Sequence, residues 1–158
     1  MSESLHSVLV RDFTPKLSLA TRENLSLKEQ RTEYNLKFGY RRTCVAYQID
    51  GNIITVGNKC DYLVLVKEDE QPQNNYWKAI FIELKGTDVE KALIQLDATM
   101  SNDKLKHSSI IERHARIVAK SFPSSKSNPK FEAAKRFFKK RHKCSLKQVS
   151  SGCPDLIS

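Results

Sequence analysis

Two apolar, strand-like runs carry charges where a β-core tolerates them least. The run Trp77-Lys78-Ala79-Ile80-Phe81-Ile82-Glu83-Leu84-Lys85 has the composition of a strand covered on both faces. The run Cys60-Asp61-Tyr62-Leu63-Val64-Leu65-Val66 reads the same way. A carboxylate or ammonium in such a core is costly unless it is paired or bound to a cation. Asp61, Glu83 and Lys85 therefore point to one shared site rather than to three separate accidents.

Strand periodicity places Glu83 and Lys85 on one face with Ala79 and Phe81, and Ile80, Ile82 and Leu84 on the other. The charged pair sits at the C-terminal end of its strand, and Asp61 at the start of its own. If the two strands are antiparallel neighbours, the start of one meets the end of the other. Asp61 then comes beside Glu83. Two carboxylates and the backbone carbonyl of Leu84 make an oxygen set suited to magnesium, with manganese as a substitute. A bound ion activates water and polarises a phosphoryl oxygen. Lys85 would orient that water and stabilise the charged transition state. The residues alone also allow a purely structural ion pair at the sheet edge.

The surrounding chain supplies a frame for these strands. Ser26 with Glu29 reads as a capping box opening a helix to Phe38, with Leu27, Tyr34 and Phe38 on one face and Gly39 as the stop. Ser7 to Val10 reads as a short strand. Thr43 to Ile49 alternates as a strand, Asp50-Gly51 as a tight turn, and Ile53 to Val56 as the start of a return strand. Lys67 to Asn75, with Pro72, reads as an exposed loop. Thr87 and Glu90 form a second capping box before a helix to Met100, with Val89, Leu93, Leu96 and Met100 at helical spacing. A strand follows at Ala115 to Ala119, then a Ser/Pro/Lys loop from Pro123 to Asn128. Pro129 opens a helix to Arg141 that buries Phe131, Ala134, Phe137 and Phe138. A strand at Ser145 to Val149 precedes a weakly ordered tail over 150–158.

The expectation is one α/β (α+β) domain over 1–158, with its core at about 26–150. A central mixed sheet is flanked by helices, because a strand meander followed by a helical crossover implies that arrangement.

This setting resembles the PD-(D/E)xK nuclease superfamily, the restriction-endonuclease-like fold. The likeness rests on Asp61 and Glu83-Leu84-Lys85 in their hairpin and strand, followed by a turn, a capped helix and a strand. It covers roughly residues 26 to 122. It implies a metal-dependent endonuclease acting on DNA, with Asp61 and Glu83 as metal ligands and Lys85 as the catalytic lysine. It also suggests Gln95 on the following helix and Glu33 on the first helix, with Glu29 as the other choice, as further site residues. Cys60 stands where many members have proline. The literal Pro154-Asp155 follows Glu83 and Lys85 rather than preceding them, and it reads as a decoy.

Charge points to the same class of partner. The formal net charge is +9. Between Lys120 and Lys147 the basic residues are many and Glu132 is the only acid. Lys126, Lys130, Lys135, Arg136, Lys139, Lys140, Arg141 and Lys143 form the candidate nucleic-acid surface of the basic helix, with His142 continuing the run. DNA is the expected partner, with RNA as the alternative. Cleavage of both strands would require a homodimer or a partner subunit. A non-catalytic binding subunit on the same fold is the competing reading.

Nothing in the sequence suggests a membrane span or a secretory leader, so a cytoplasmic location is expected. Cys44, Cys60, Cys144 and Cys153 lack zinc-ligand spacing and read as free, mostly buried thiols, with a Cys144–Cys153 pair as the alternative. His6, His107, His114 and His142 form no catalytic pattern.

Overall fold

A computed structural model describes residues 3–84, 88–120 and 129–157. The element order is α1 (Leu5–Leu9), β1 (Leu17–Glu29), β2 (Thr32–Gln48), β3 (Tyr62–Lys67), β4 (Trp77–Leu84), α2 (Val89–Met100), a 3-10 turn (Asp103–Leu105), β5 (Ile110–Ala119), α3 (Pro129–His142), β6 (Cys144–Ser150) and β7 (Pro154–Leu156). The chain is a mixed α+β fold. Its described strands form one seven-stranded sheet in the order β1-β2-β3-β4-β5-β6, with β7 added to β2. Strands β1 to β4 are an antiparallel meander, whereas β5 is parallel to β4 and β6 to β5. Helices α2 and α3 are the two crossovers that parallel neighbours require.

Alternation along the central strands separates two apolar layers. Leu63, Leu65, Ala79, Phe81, Ala115, Ile117, Cys144 and Leu146 face one side. There Leu96 and Met100 of α2, Phe131 and Phe138 of α3, and Leu5 and Leu9 of α1 cover them. On the other side Val64, Ile80, Ile82, Leu84 and Val118 meet Leu25, Leu27, Tyr34, Leu36 and Phe38. That second cover is the distal half of the β1–β2 hairpin, folded back over the sheet. Gly39 takes a positive φ of 81° near the bend. The pairing shifts register there, between Arg22 and Asn24. The Tyr62 hydroxyl donates to Glu29 Oε1 at 3.0 Å across the same layer.

The helix expected over Ser26–Phe38 is therefore a hairpin. Its buried residues recur every second position, in strand rather than helix register, and Gln30-Arg31 makes the turn. Gln30 takes a φ of 52° that glycine or asparagine would ordinarily supply. Ser7–Val10 is not a strand either. Ser4 caps α1, its hydroxyl accepting from the Ser7 N–H at 3.0 Å, while Ser7 Oγ accepts from the Ser4 N–H at 2.9 Å. Asp50-Gly51 does turn, but no return strand follows at Ile53–Val56. The Ile54 N–H instead bonds back to the carbonyl of Ile49, and β3 begins only at Tyr62.

The chain end is also more ordered than its composition suggests. Strand β7 pairs in parallel with Asn35–Lys37 of β2. Asp155 is fully buried between the layers, where its Oδ2 accepts from the Tyr34 hydroxyl at 2.6 Å and from Arg116 Nε at 2.7 Å. Pro154-Asp155 thus has a partner strand and a structural role. On α3, Phe131 and Phe138 are buried as expected, but Phe137 is half-exposed beneath the Arg141 guanidinium. His142, four positions after Phe138, completes the inner face instead. All four cysteines are free thiols, with Cys153 exposed and the others buried. No helix among the described residues is long and apolar enough to cross a membrane.

Candidate metal centre and nucleic-acid surface

The register Tyr62↔Ile82 brings the start of β3 to the end of β4. The Asp61 N–H donates at 3.1 Å to the carbonyl of Ile82, the residue already paired with Tyr62. Two residues of one strand thus face one of the other, the arrangement of a β-bulge, which re-aims a side chain and ends regular pairing. The Asp61 carboxylate then does what a backbone carbonyl would do in a regular ladder: its Oδ2 accepts from the Leu84 N–H at 2.8 Å. Asp61 is thereby held to both neighbours of Glu83 in β4. The two carboxylates are only 8% and 7% exposed.

The bulge is fixed from the helix layer. The Cys60 N–H donates to Thr99 Oγ1 at 2.7 Å, and Thr99 in turn donates to the Gln95 carbonyl one turn earlier on α2. Thr99 was not foreseen; a fully buried hydroxyl in an apolar helix face is the only signal it gives. Removing it by Thr99→Val would leave the buried Cys60 N–H without a partner. A stability loss of about 1–3 kcal/mol is expected, read from chemical denaturation. Burial pushes the Cys60 thiol well up, and the charges of Glu83 and Asp61 push it further. A thiol so held is a poor nucleophile.

Among the described residues no group of three or more His, Cys, Asp or Glu side chains is placed to hold a metal. The donors at the end of β4 are Asp61, Glu83 and the Leu84 carbonyl, all hard oxygens. That is the small set magnesium uses when it keeps several waters and takes phosphate oxygens from its substrate. The donor types present fit such an ion.

The other sequence-predicted site residues are distributed unevenly. Lys85 and Lys126 lie outside the described residues, as do the Thr87 cap and the Pro123–Asn128 loop. In the described chain the cap of α2 is Asp88, whose side chain accepts from the Lys91 N–H at 3.1 Å. Gln95 is half-buried on α2, on the helical face that carries Thr99. Glu33 is not on a helix and is not brought to the carboxylates. It is the second residue of β2 in the folded-over hairpin, pairs with Lys28 at 3.5 Å, and points away from the layer that Tyr34 enters. Glu29 reaches Tyr62, on the sheet face opposite Glu83.

Helix α3 spans the length of the sheet. Its first turn, with Lys130 bonded to Glu90 at 3.2 Å, lies beside the start of α2, next to the carboxylate end of β4. Its last turn, with Lys139, Lys140 and Arg141, ends where β6 begins, at the other end. Lys135, Arg136, Lys139, Lys140 and Arg141 are exposed, as a phosphate-contacting surface requires. His142 is not part of that surface: it is buried, and its Nε2 meets Asp97 Oδ1 at 2.7 Å. Burial lowers its pKa, opposed by the Asp97 carboxylate.

No family model matches the chain, and neither a curated protein nor a solved structure matches it.

Proposed function

We propose that this protein is a magnesium-dependent endonuclease of the restriction-endonuclease-like type that hydrolyses phosphodiester bonds in DNA. The observation that carries the reading is the bulge that ties Asp61 to both neighbours of Glu83, its backbone N–H to the Ile82 carbonyl and its carboxylate to the Leu84 N–H, at the buried end of a central strand. A pure scaffold has little reason to bury two carboxylates at the paired ends of adjacent strands. The strand order supports the same reading: an antiparallel meander β2-β3-β4, the α2 crossover, then β5 parallel to β4.

Asp61, Glu83 and the Leu84 carbonyl would hold the cation, which when bound supplies an activated water and neutralises charge at phosphorus. Lys85 follows Glu83 by two residues and donates hydrogen bonds to the attacking water and to a phosphoryl oxygen. Water attacks in line and gives up its proton to solvent, the bond from phosphorus to the 3′ oxygen breaks, and that oxygen leaves with a proton from solvent. Gln95, on the Thr99 face of α2, would help orient the water. The exposed cations of α3 position the nucleic-acid backbone. One chain holds one site, so double-strand cleavage would take a homodimer or a partner subunit.

One observation favours the competing reading of a non-catalytic nucleic-acid-binding subunit. The Asp61 Oδ2 already satisfies the Leu84 N–H, which is a structural task. Incubation of the protein with supercoiled, linear, branched and single-stranded DNA, and with RNA, in magnesium or chelator separates the two. Magnesium-dependent cleavage supports the nuclease, and the substrate cut decides between DNA and RNA. Tight binding of all of them without cleavage of any supports the subunit.

A further inference from the structure

At the end of the sheet away from Asp61 and Glu83, two adjoining troughs of about 660 and 580 Å³ share Glu112, Arg113 and Lys143 as walls. Lys106 and Arg141 line the first, and Lys135 and Lys139 the second. Six cations therefore face one carboxylate, and Glu112 is itself held by Lys78 at 3.2 Å and approached by His114 at 3.5 Å. Arg141 has a partner in Asp97, Lys135 in Glu132 and Lys106 in Asp103. Among the described residues, Arg113, Lys139 and Lys143 have no carboxylate within ion-pair distance. Arg113 is half-buried at the junction of the troughs, where burial disfavours its charge unless an anion arrives.

Lys143 adds an independent signal. It directly follows α3 and takes a left-handed φ of 52°. Glycine or asparagine ordinarily ends a helix in that conformation, because a side chain there is strained. A lysine in that place gives up local stability and puts an ammonium at the wall common to both troughs. Backbone strain of this kind collects at binding sites.

We propose that these troughs form a phosphate-binding groove for a polynucleotide strand, centred on Arg113, Lys139 and Lys143 and separate from the Asp61–Glu83 centre. A concave, continuous trough with a half-buried arginine suits a chain of phosphodiesters better than a flat anionic membrane. The groove does not depend on whether Asp61 and Glu83 cut. If they do, its position bears on the substrate. Arg113 lies four residues before Ile117, the partner of Glu83 in β5. At about 3.3 Å per residue the offset is roughly 13 Å, or about four nucleotide steps at 3.4 Å each. The substrate would then be a duplex whose backbone is held about four base-pair steps from the cut.

The test is fluorescence anisotropy of the full chain with a labelled DNA duplex of two helical turns across a salt series. The triple variant Arg113→Gln, Lys139→Gln, Lys143→Gly should bind at least about tenfold more weakly, with a salt slope shallower by about 2–3. Lys143→Gly alone should melt at a higher temperature than the wild type and still bind more weakly, which separates lost contacts from lost folding. The titrations are run in chelator, without a divalent cation, so neither cleavage nor cation-mediated binding at Asp61 and Glu83 contributes and a failed nuclease reading leaves this result readable. Wild-type affinity and salt slope in the triple variant would overturn the groove. So would displacement of the duplex by anionic vesicles at matched phosphate concentration.

Discussion

Asp155→Asn should lower the stability of this protein by about 3–5 kcal/mol, the cost of removing one partner from a buried ion pair. Small domains have about 5–15 kcal/mol in total, so the variant should unfold at markedly lower denaturant. Asp155 is fully buried, Arg116 almost so, and the Tyr34 hydroxyl completes the set at 2.6 Å. The loss should exceed that of any surface change because the Arg116 guanidinium would remain in the core without its counter-charge. The triple change Arg116→Met, Asp155→Leu, Tyr34→Phe should recover much of it, since it removes both buried charges and the hydroxyl together, while Lys147, which also meets Asp155 at 3.4 Å, is half-exposed and keeps water. If Asp155→Asn costs less than about 1 kcal/mol, in the range of an exposed pair, the pair does not hold β7 and the hairpin layer to the sheet.

The same pair sets a pH dependence. Burial by itself would raise the Asp155 carboxyl, but the Tyr34 hydrogen bond and the Arg116 charge outweigh it and hold the group below its ordinary 3.8. A carboxyl with a lower pKa in the folded state stabilises that state above its unfolded value, and the contribution fades as pH falls through the folded value. The wild type should therefore lose stability steeply as pH drops below 3.8, and Asp155→Asn should show a flatter profile there.

The second large effect concerns chemistry. Asp61→Asn and Glu83→Gln should each abolish magnesium-dependent cleavage, because the loss of one of two carboxylates removes the cation and its several kcal/mol of charge stabilisation. Asparagine at position 61 can still accept from the Leu84 N–H, so the bulge and the fold should survive. Lys85→Ala should lower the single-turnover rate by about 10²–10³-fold, the usual cost of one lost transition-state donor. It should leave cation binding near normal. Initial rates at saturating DNA check all three. Cleavage by Asp61→Asn at the wild-type rate would remove Asp61 from the site.

How much of this could be read from the sequence depended on whether the deciding contacts were local. Strands β3 and β4 announced themselves because both faces are apolar, and Asp61 and Glu83 stood out against that background. Helices α2 and α3 were legible from their repeating apolar positions, although the cap of α2 fell on Asp88 rather than Thr87. The hairpin of β1 and β2 was misread because Ser26 and Glu29 imitate a capping box. Its turn also uses Gln30 at a positive φ, without the glycine that would mark it. The alternation of Leu25 and Leu27, then Tyr34, Leu36 and Phe38, was the stronger signal. The ordered chain end could not be foreseen, since Asp155 finds its partner Arg116 on a distant strand. The pairing of the start of β3 with the end of β4 followed from strand direction, but the bulge and its brace from Thr99 depend on tertiary packing.

A nuclease at this site requires that Asp61 and Glu83 together hold a divalent cation. Electron paramagnetic resonance of Mn²⁺ titrated into the DNA-free protein measures that directly, because bound Mn²⁺ loses its free-ion signal. The wild type should remove one equivalent of Mn²⁺ from solution and release it to excess Mg²⁺, while Asp61→Asn and Glu83→Gln leave the free-ion signal unchanged. A wild type that binds no Mn²⁺, or variants that bind it as tightly as the wild type, would contradict the proposed metal centre.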